Sequence, residues 1–233
     1  MRLRAWYKRN ARDLPWRNTR DPYHILVSEL MLQQTQVSRV IEFYPRFLER
    51  FPTLEVLAGA RETHVLAAWE GLGYYARARN LHKLSRVVVR EGAAAWGDPS
   101  LTRDKDSPTH RGMLPSDAAS LRRLPGIGAY TAGAVSSFAF ERRAALVDTN
   151  VARLITRVFA PRLQPKRARD QKRIWAITEA TLPRTGKATW VHNQALMELG
   201  ALVCTARVKR CGICPLRGVC KTYRSRLKVE GRK

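Results

Sequence analysis

Acidic residues are scarce in this chain. It has 19 Asp+Glu against 43 Lys+Arg, a formal net charge of +24 over 233 residues. The excess is spread along the sequence rather than held in one tail. A field of this sign attracts polyanions, and nucleic acid is the commonest of them; a membrane surface and the ribosome are the other partners it would suit. Long apolar runs are missing too. No stretch of 18 apolar residues occurs, which argues against a membrane span. The opening residues Met1 to Asn10 lack the apolar run of a signal peptide. Period-2 alternation is rare and no internal repeat is found, so strands are not expected. Cysteine is absent from the first 203 residues.

What cysteine there is lies within seventeen positions, as Cys204-x6-Cys211-x2-Cys214-x5-Cys220. Four thiolates closing on one centre hold an iron–sulfur cluster or a structural zinc. The spacing departs from the paired C-x2-C knuckles of a zinc ribbon. A disulfide framework fits poorly, because disulfides belong to oxidising compartments and small secreted domains. The reading is a 4Fe–4S cluster held by Cys204, Cys211, Cys214 and Cys220, and with it a reducing cytoplasm.

With 45% hydrophobic residues, a sizeable core is available to one large or two small domains. The periodic segments read as helices and the fold class as all-α. Asp21 and Pro22 mark one helix start, as N-cap and first helical residue. A second helix is expected from Thr35. Others are expected around 54–69, 76–91, 117–123, 129–140, 149–159, 170–181 and 190–203. Residues 97–112 are polar with two prolines and read as a mobile surface loop. The basic tail, 221–233, reads as disordered, as a linker, or as an arm along phosphates.

The segment Leu124-Pro125-Gly126-Ile127-Gly128 precedes a helix of small residues. Gly126 and Gly128 permit a sharp turn and a close approach to a ligand. The following helix start suits a phosphate. An ordinary helix–turn–helix connection is the plainer reading. With the charge and the cysteines, the hairpin of a helix-hairpin-helix element is favoured, gripping DNA through its backbone.

Two acids stand out. Asp148, in Val147-Asp148-Thr149-Asn150-Val151, sits at a helix start behind an apolar run. Helix capping is its commonest role, but a carboxylate buried there needs a reason. Glu29 is the one charged residue between Ile25 and Ser38; a salt bridge to Arg20 or Arg39 is the plain alternative. Cleavage of a glycosidic bond asks for such a pair. One acid protonates the leaving group and the other stabilises an oxocarbenium-like sugar.

From about Trp6 to Cys220 the chain resembles the helix-hairpin-helix DNA glycosylases of the endonuclease III superfamily, and within it the MutY-type adenine DNA glycosylases. The resemblance rests on Leu14-Pro15-Trp16-Arg17, Asp21-Pro22-Tyr23, residues 28–37 (SELMLQQTQV), residues 71–82 (GLGYYARARNLH), Leu124 to Gly128, Val147 to Val151, residues 193–204 (NQALMELGALVC) and the cysteine spacing. It implies a six-helix barrel over 21–131 carrying the hairpin. A cluster module would be built from 1–20 and 132–220, with double-stranded DNA bound in a cleft between the two. The mispaired or damaged base would be flipped out of the stack. A cytoplasmic, nucleoid-associated monomer is expected.

The resemblance also implies roles. Glu29 matches the acid that protonates the departing purine, and Asp148 the carboxylate that stabilises the sugar cation. Tyr130 stands where bifunctional members carry a Schiff-base lysine, so the enzyme is expected to be monofunctional. Tyr130 and Asn150 would orient the two carboxylates and the attacking water. Arg17 and Gln194 match adenine-contacting positions. Gln33, Gln34 and Thr35, with Tyr74 and Tyr75, match segments that wedge into the duplex; as core aromatics the tyrosines would do neither. MutY-type enzymes normally continue into a domain that reads 8-oxoguanine, and thirteen residues after Cys220 leave no counterpart of it. A thymine or uracil mismatch glycosylase therefore stays open beside adenine excision, as does a non-catalytic, cluster-bearing DNA-binding protein.

Overall fold

The computed structural model describes residues 2–91 and 113–230. The expected loop at 97–112 lies outside the described residues. The described chain contains helices and short turns, with no strand among the described residues beyond one isolated bridge, Cys204 to Lys209. The all-α expectation holds. No helix among the described residues is long and apolar enough to cross a membrane.

The chain divides into two units. The first comprises residues 1–12 and 141–233, the second residues 13–140. This places 13–20 and 132–140 with the hairpin, where the sequence reading had given them to the cysteine module. The packing explains both. Trp16, on a 3-10 turn at Pro15–Arg17, sets its ring edge-on to Tyr44 with centroids 5.6 Å apart. The helix that follows the hairpin is buried along its length as far as Phe138.

The second unit contains α2 (Pro22–Met31), α3 (Val37–Arg50), α4 (Leu54–Gly59), α5 (Glu62–Ala68), α6 (Ala76–Glu91), α7 (Ala118–Leu121) and α8 (Ala129–Phe138). Asp21 caps α2, its carboxylate accepting from the His24 amide at 3.0 Å, with Pro22 at the first position. Helix α2 is apolar almost all round and buried from Ile25 to Met31, as a helix at the centre of a bundle must be. It packs on α3, α6 and α8. Helix α3 starts at Val37, not Thr35, because Thr35 belongs to the loop after α2. The expected 54–69 helix is two: it stops after Gly59 at extended Ala60 and restarts at Glu62.

The first unit contains α1 (Arg2–Asn10), α9 (Thr149–Phe159), α10 (Ala168–Ala180), α11 (Gly186–Leu202) and α12 (Lys221–Glu230). Helix α11 begins at Gly186, capped by Thr185, whose hydroxyl accepts from the Ala188 amide; it is one turn longer at its start than the periodicity suggested. It packs on α1 and α9. After α1, Arg12 clasps buried Glu198 of α11 through Nε at 2.7 Å and Nη2 at 3.0 Å. The tail is helical to Glu230. Its anchor is polar: the Thr222 hydroxyl donates to the Arg157 carbonyl at 2.7 Å.

Candidate active site

In the second unit, Glu29 is 3% exposed inside α2. Tyr130, in the first turn of α8, donates its hydroxyl to Glu29 Oε2 at 2.7 Å. The next residue, Thr131, accepts from Gln33 Nε2 at 3.3 Å. One turn of α8 thus touches both the buried acid and the loop that follows it. The phenol O–H fixes the orientation of a carboxyl group that the apolar helix keeps from water. Arg17 lies half-buried on the 3-10 turn. Tyr74 and Tyr75 are exposed, 60% and 38%, so they are not core aromatics.

The hairpin joins α7 to α8, anchored by buried Leu124 and Ile127. Its glycines differ in kind. Gly126 has φ of 76°, and a Cβ there would meet Asn80 Cβ at 2.6 Å. Gly128 has ordinary φ, is the N-cap of α8, and a Cβ there would meet nothing within 4 Å. Fold geometry therefore demands glycine at 126 but not at 128. The open space at 128, beside a helix N-terminus, is what a phosphate oxygen would need. Gly126→Ala is expected to lower stability by about 1–2 kcal/mol or more, from the left-handed backbone and the Asn80 contact. Gly128→Ala should melt with the parent protein yet bind duplex DNA more weakly. Thermal unfolding and a binding titration on the two variants check both.

In the first unit, Asp148 caps α9. Its Oδ1 accepts from the Val151 amide at 2.6 Å and its Oδ2 from Asn150 Nδ2 at 3.1 Å. Burial raises its pKa above the ordinary aspartate value; the hydrogen bonds from Val151 and Asn150 and the charge of Arg153 pull the other way. Tyr130 and Asn150 divide the two carboxylates between them: Tyr130 bonds Glu29, and Asn150 bonds Asp148. Gln194 is buried in α11.

Two further residues build this corner, Arg153 and Gly200, and the sequence reading gave neither a role. Arg153 donates through Nη2 to Asn150 Oδ1 at 2.7 Å and to the Gly200 carbonyl at 2.8 Å, and through Nε to the Cys204 carbonyl at 3.0 Å. Gly200 lets α11 approach α9, since a Cβ there would lie 2.8 Å from Asn150 Cβ. The one local hint was the helical spacing of Asn150 and Arg153.

Cys204, Cys211, Cys214 and Cys220 line one cavity of about 60 Å³ together with Leu154, Arg157 and Val203. None of the four is in a disulfide in this structure. Burial pushes the Cys214 thiol up, and the other three cysteines add to the rise. Arg157 Nη1 donates to Cys204 Sγ at 3.3 Å. Among the described residues no three His, Cys, Asp or Glu side chains converge as a single metal ion would require. The donor set, four sulfurs lining one space, fits a thiolate-bound metal centre.

Residues 27–179 match the family described as HhH-GPD superfamily base excision DNA repair protein. The chain is 42% identical over 218 residues to the adenine DNA glycosylase of Mycobacterium tuberculosis, covering 92% of this chain and 64% of that protein. It is 38% identical to the adenine DNA glycosylase of Homo sapiens, covering 98% of this chain and 39% of that protein. Among solved structures, a thermostable thymine-DNA glycosylase superposes with a TM-score of 0.80 at 28% identity, covering 96% and 94% of the two chains. A trapped endonuclease III–DNA covalent intermediate gives a TM-score of 0.72 at 22% identity, covering 97% and 93%, a likeness of fold. The matched span and the level of identity lead to one conclusion: the chain belongs to the HhH-GPD superfamily of base excision DNA repair proteins.

Proposed function

We propose that this chain is a monofunctional DNA glycosylase that hydrolyses the N-glycosidic bond of adenine mispaired with guanine or 8-oxoguanine in double-stranded DNA. The observation that carries the proposal is the Tyr130 hydroxyl on the buried Glu29 carboxyl. Glu29 protonates the leaving purine, and Asp148 supplies the negative charge that the sugar cation needs. Tyr130 and Asn150 each orient one of these acids. A phenol cannot form a Schiff base, so the strand stays intact after base loss. Arg17 and Gln194 recognise the adenine, and an amide can offer both donor and acceptor to its edge. Gln33, Gln34, Thr35, Tyr74 and Tyr75 open the base stack, while Gly126 and Gly128 seat the phosphate backbone. The exposure of the two tyrosines supports this role.

Four thiols around one cavity support a 4Fe–4S cluster on Cys204, Cys211, Cys214 and Cys220. When bound, such a cluster supplies no electron to base excision and fixes the loop that carries Arg207, Lys209 and Arg210.

The relatives named adenine DNA glycosylase favour adenine; the thymine-DNA glycosylase neighbour keeps thymine or uracil mispaired with guanine as the second reading. Single-turnover excision on labelled duplexes carrying A:8-oxoguanine, A:G, T:G and U:G separates them, with alkali cleavage revealing the abasic product. Loss of adenine alone is expected. Loss of thymine or uracil would move the chain to the second reading, and strand cleavage before alkali would overturn the monofunctional assignment.

A further inference from the structure

Arg77 is buried at 7% exposure in the first turn of α6, and no motif reading gave it a task. Its guanidinium makes six hydrogen bonds, two to the end of α2 and four to two loops. Nη1 donates to the carbonyls of Leu30 and Met31, both at 2.8 Å, and to the carbonyl of Gln33. Nη2 donates to Thr35 Oγ1 at 3.1 Å, to the Leu72 carbonyl at 3.1 Å and to the Gly73 carbonyl at 3.0 Å. The same group lies 5.5 Å from the ring centroids of Trp69 and Tyr74. The carbonyls of Leu30 and Met31 belong to the last turn of α2, where the helix has no partner of its own for them. The residue before them is Glu29.

Between the bonds to Gln33 and Thr35 stands Gln34, with φ of 57°; directly after Leu72 and Gly73 stands Tyr74, with φ of 49°. Both are exposed non-glycine residues in the left-handed region. Each such conformation costs about 1 kcal/mol or more and persists only where the surroundings over-determine it. Here one side chain grips the backbone beside both. An ammonium could not do the same, because it lacks the planar fork that reaches acceptors on two sides.

We infer that Arg77 is a positioning residue for base extrusion. It locks the Gln33–Thr35 loop, the Leu72–Tyr74 turn and the end of the Glu29 helix into one preorganised edge that opens the base stack. The inference rests on the glycosylase reading above and assigns a duty within it. It differs from a general folding role in what it predicts. Phosphate contacts carry most of the affinity, so losing the edge should spare binding and slow unstacking.

The test is stopped-flow fluorescence of 2-aminopurine placed beside the target base, run with single-turnover excision and a salt titration of binding. For Arg77→Lys we expect a salt slope like the parent's and a slower unstacking phase. Excision should fall roughly 100-fold, the scale of a misplacement of about 1 Å. Thr35→Val removes one acceptor at a half-buried position and should slow unstacking by a smaller factor while melting like the parent. An unchanged unstacking phase in Arg77→Lys overturns the inference. So does slow excision with normal unstacking. If Arg77→Lys fails to fold, an unchanged unstacking phase in Thr35→Val overturns it. A parent protein that excises none of the four mispairs would instead sink the glycosylase reading itself.

Discussion

Asp148→Asn is expected to bind mispaired duplex like the parent protein and to lose excision by roughly 1,000-fold, the scale of removing one preorganised charge from a cation-like transition state. The substitution also sets an NH2 group where Oδ2 accepts from Asn150 Nδ2, and that bond is lost. Asparagine still offers an oxygen to the Val151 amide and can still cap α9. What also disappears is the negative charge. For stability the substitution has two opposed effects: the Asn150 bond goes, and so does a buried charge. Burial raises the Asp148 pKa in the folded state. A group raised in this way favours folding at a pH below its unfolded value, and that contribution is lost as pH rises through the folded value. At neutral pH the ionised carboxylate therefore works against the fold. Relative to the parent, Asp148→Asn should therefore melt more favourably at pH 7 than at acid pH, where the parent's carboxyl is protonated. In the parent, excision should fall on acidification at a higher pH than an ordinary aspartate would give, because the raised pKa removes the charge earlier. A pH profile of single-turnover rates, with thermal melts alongside, checks all three expectations. Surviving excision in Asp148→Asn would end the proposed role.

The second large effect is at Glu29. Glu29→Gln keeps an oxygen for the Tyr130 hydroxyl but has no proton to give. Excision of adenine should fall by roughly 100- to 10,000-fold, the span of general acid catalysis. A leaving group that needs no proton separates this role from that of Asp148. A purine methylated on a ring nitrogen is already cationic in the nucleotide and departs as a neutral base without taking up a proton. Against such a target Glu29→Gln should approach the parent rate, while Asp148→Asn should stay slow. Equal loss in both variants on that substrate would show that Glu29 does not act as the acid.

The sequence carried the parts of this molecule that are local in the chain. Asp21 and Pro22 announced α2 because a cap and a fixed φ act within one turn. Gly126 and Gly128 announced the hairpin, and the cysteine spacing announced a ring of thiols, for the same reason. Thr185 was as good a cap as Asp21, but its helix opens with Gly186 and Lys187, so the apolar period starts later and the first turn went unread. The break at Ala60 was hidden because α4 and α5 each continue a similar apolar pattern. Helix α12 has few large apolar residues, and its anchor is a hydroxyl on a carbonyl 65 positions away. Arg77 and Arg153 were illegible on the same ground: their acceptors lie up to 47 and 51 positions distant in the chain, and a guanidinium in a basic sequence looks like any other. Gly200 does have a reason to be glycine, but the reason is Asn150, which only packing reveals.

The empty surroundings of Gly128 bear on how sequence variants of this protein would be sorted. A methyl group there disturbs no neighbour and no backbone torsion. Screens that rank variants by melting point, expression or protease resistance would all pass Gly128→Ala as harmless. On the proposed reading its injury would surface only when a duplex is present, since the space it fills is the one assigned to a phosphate of the ligand.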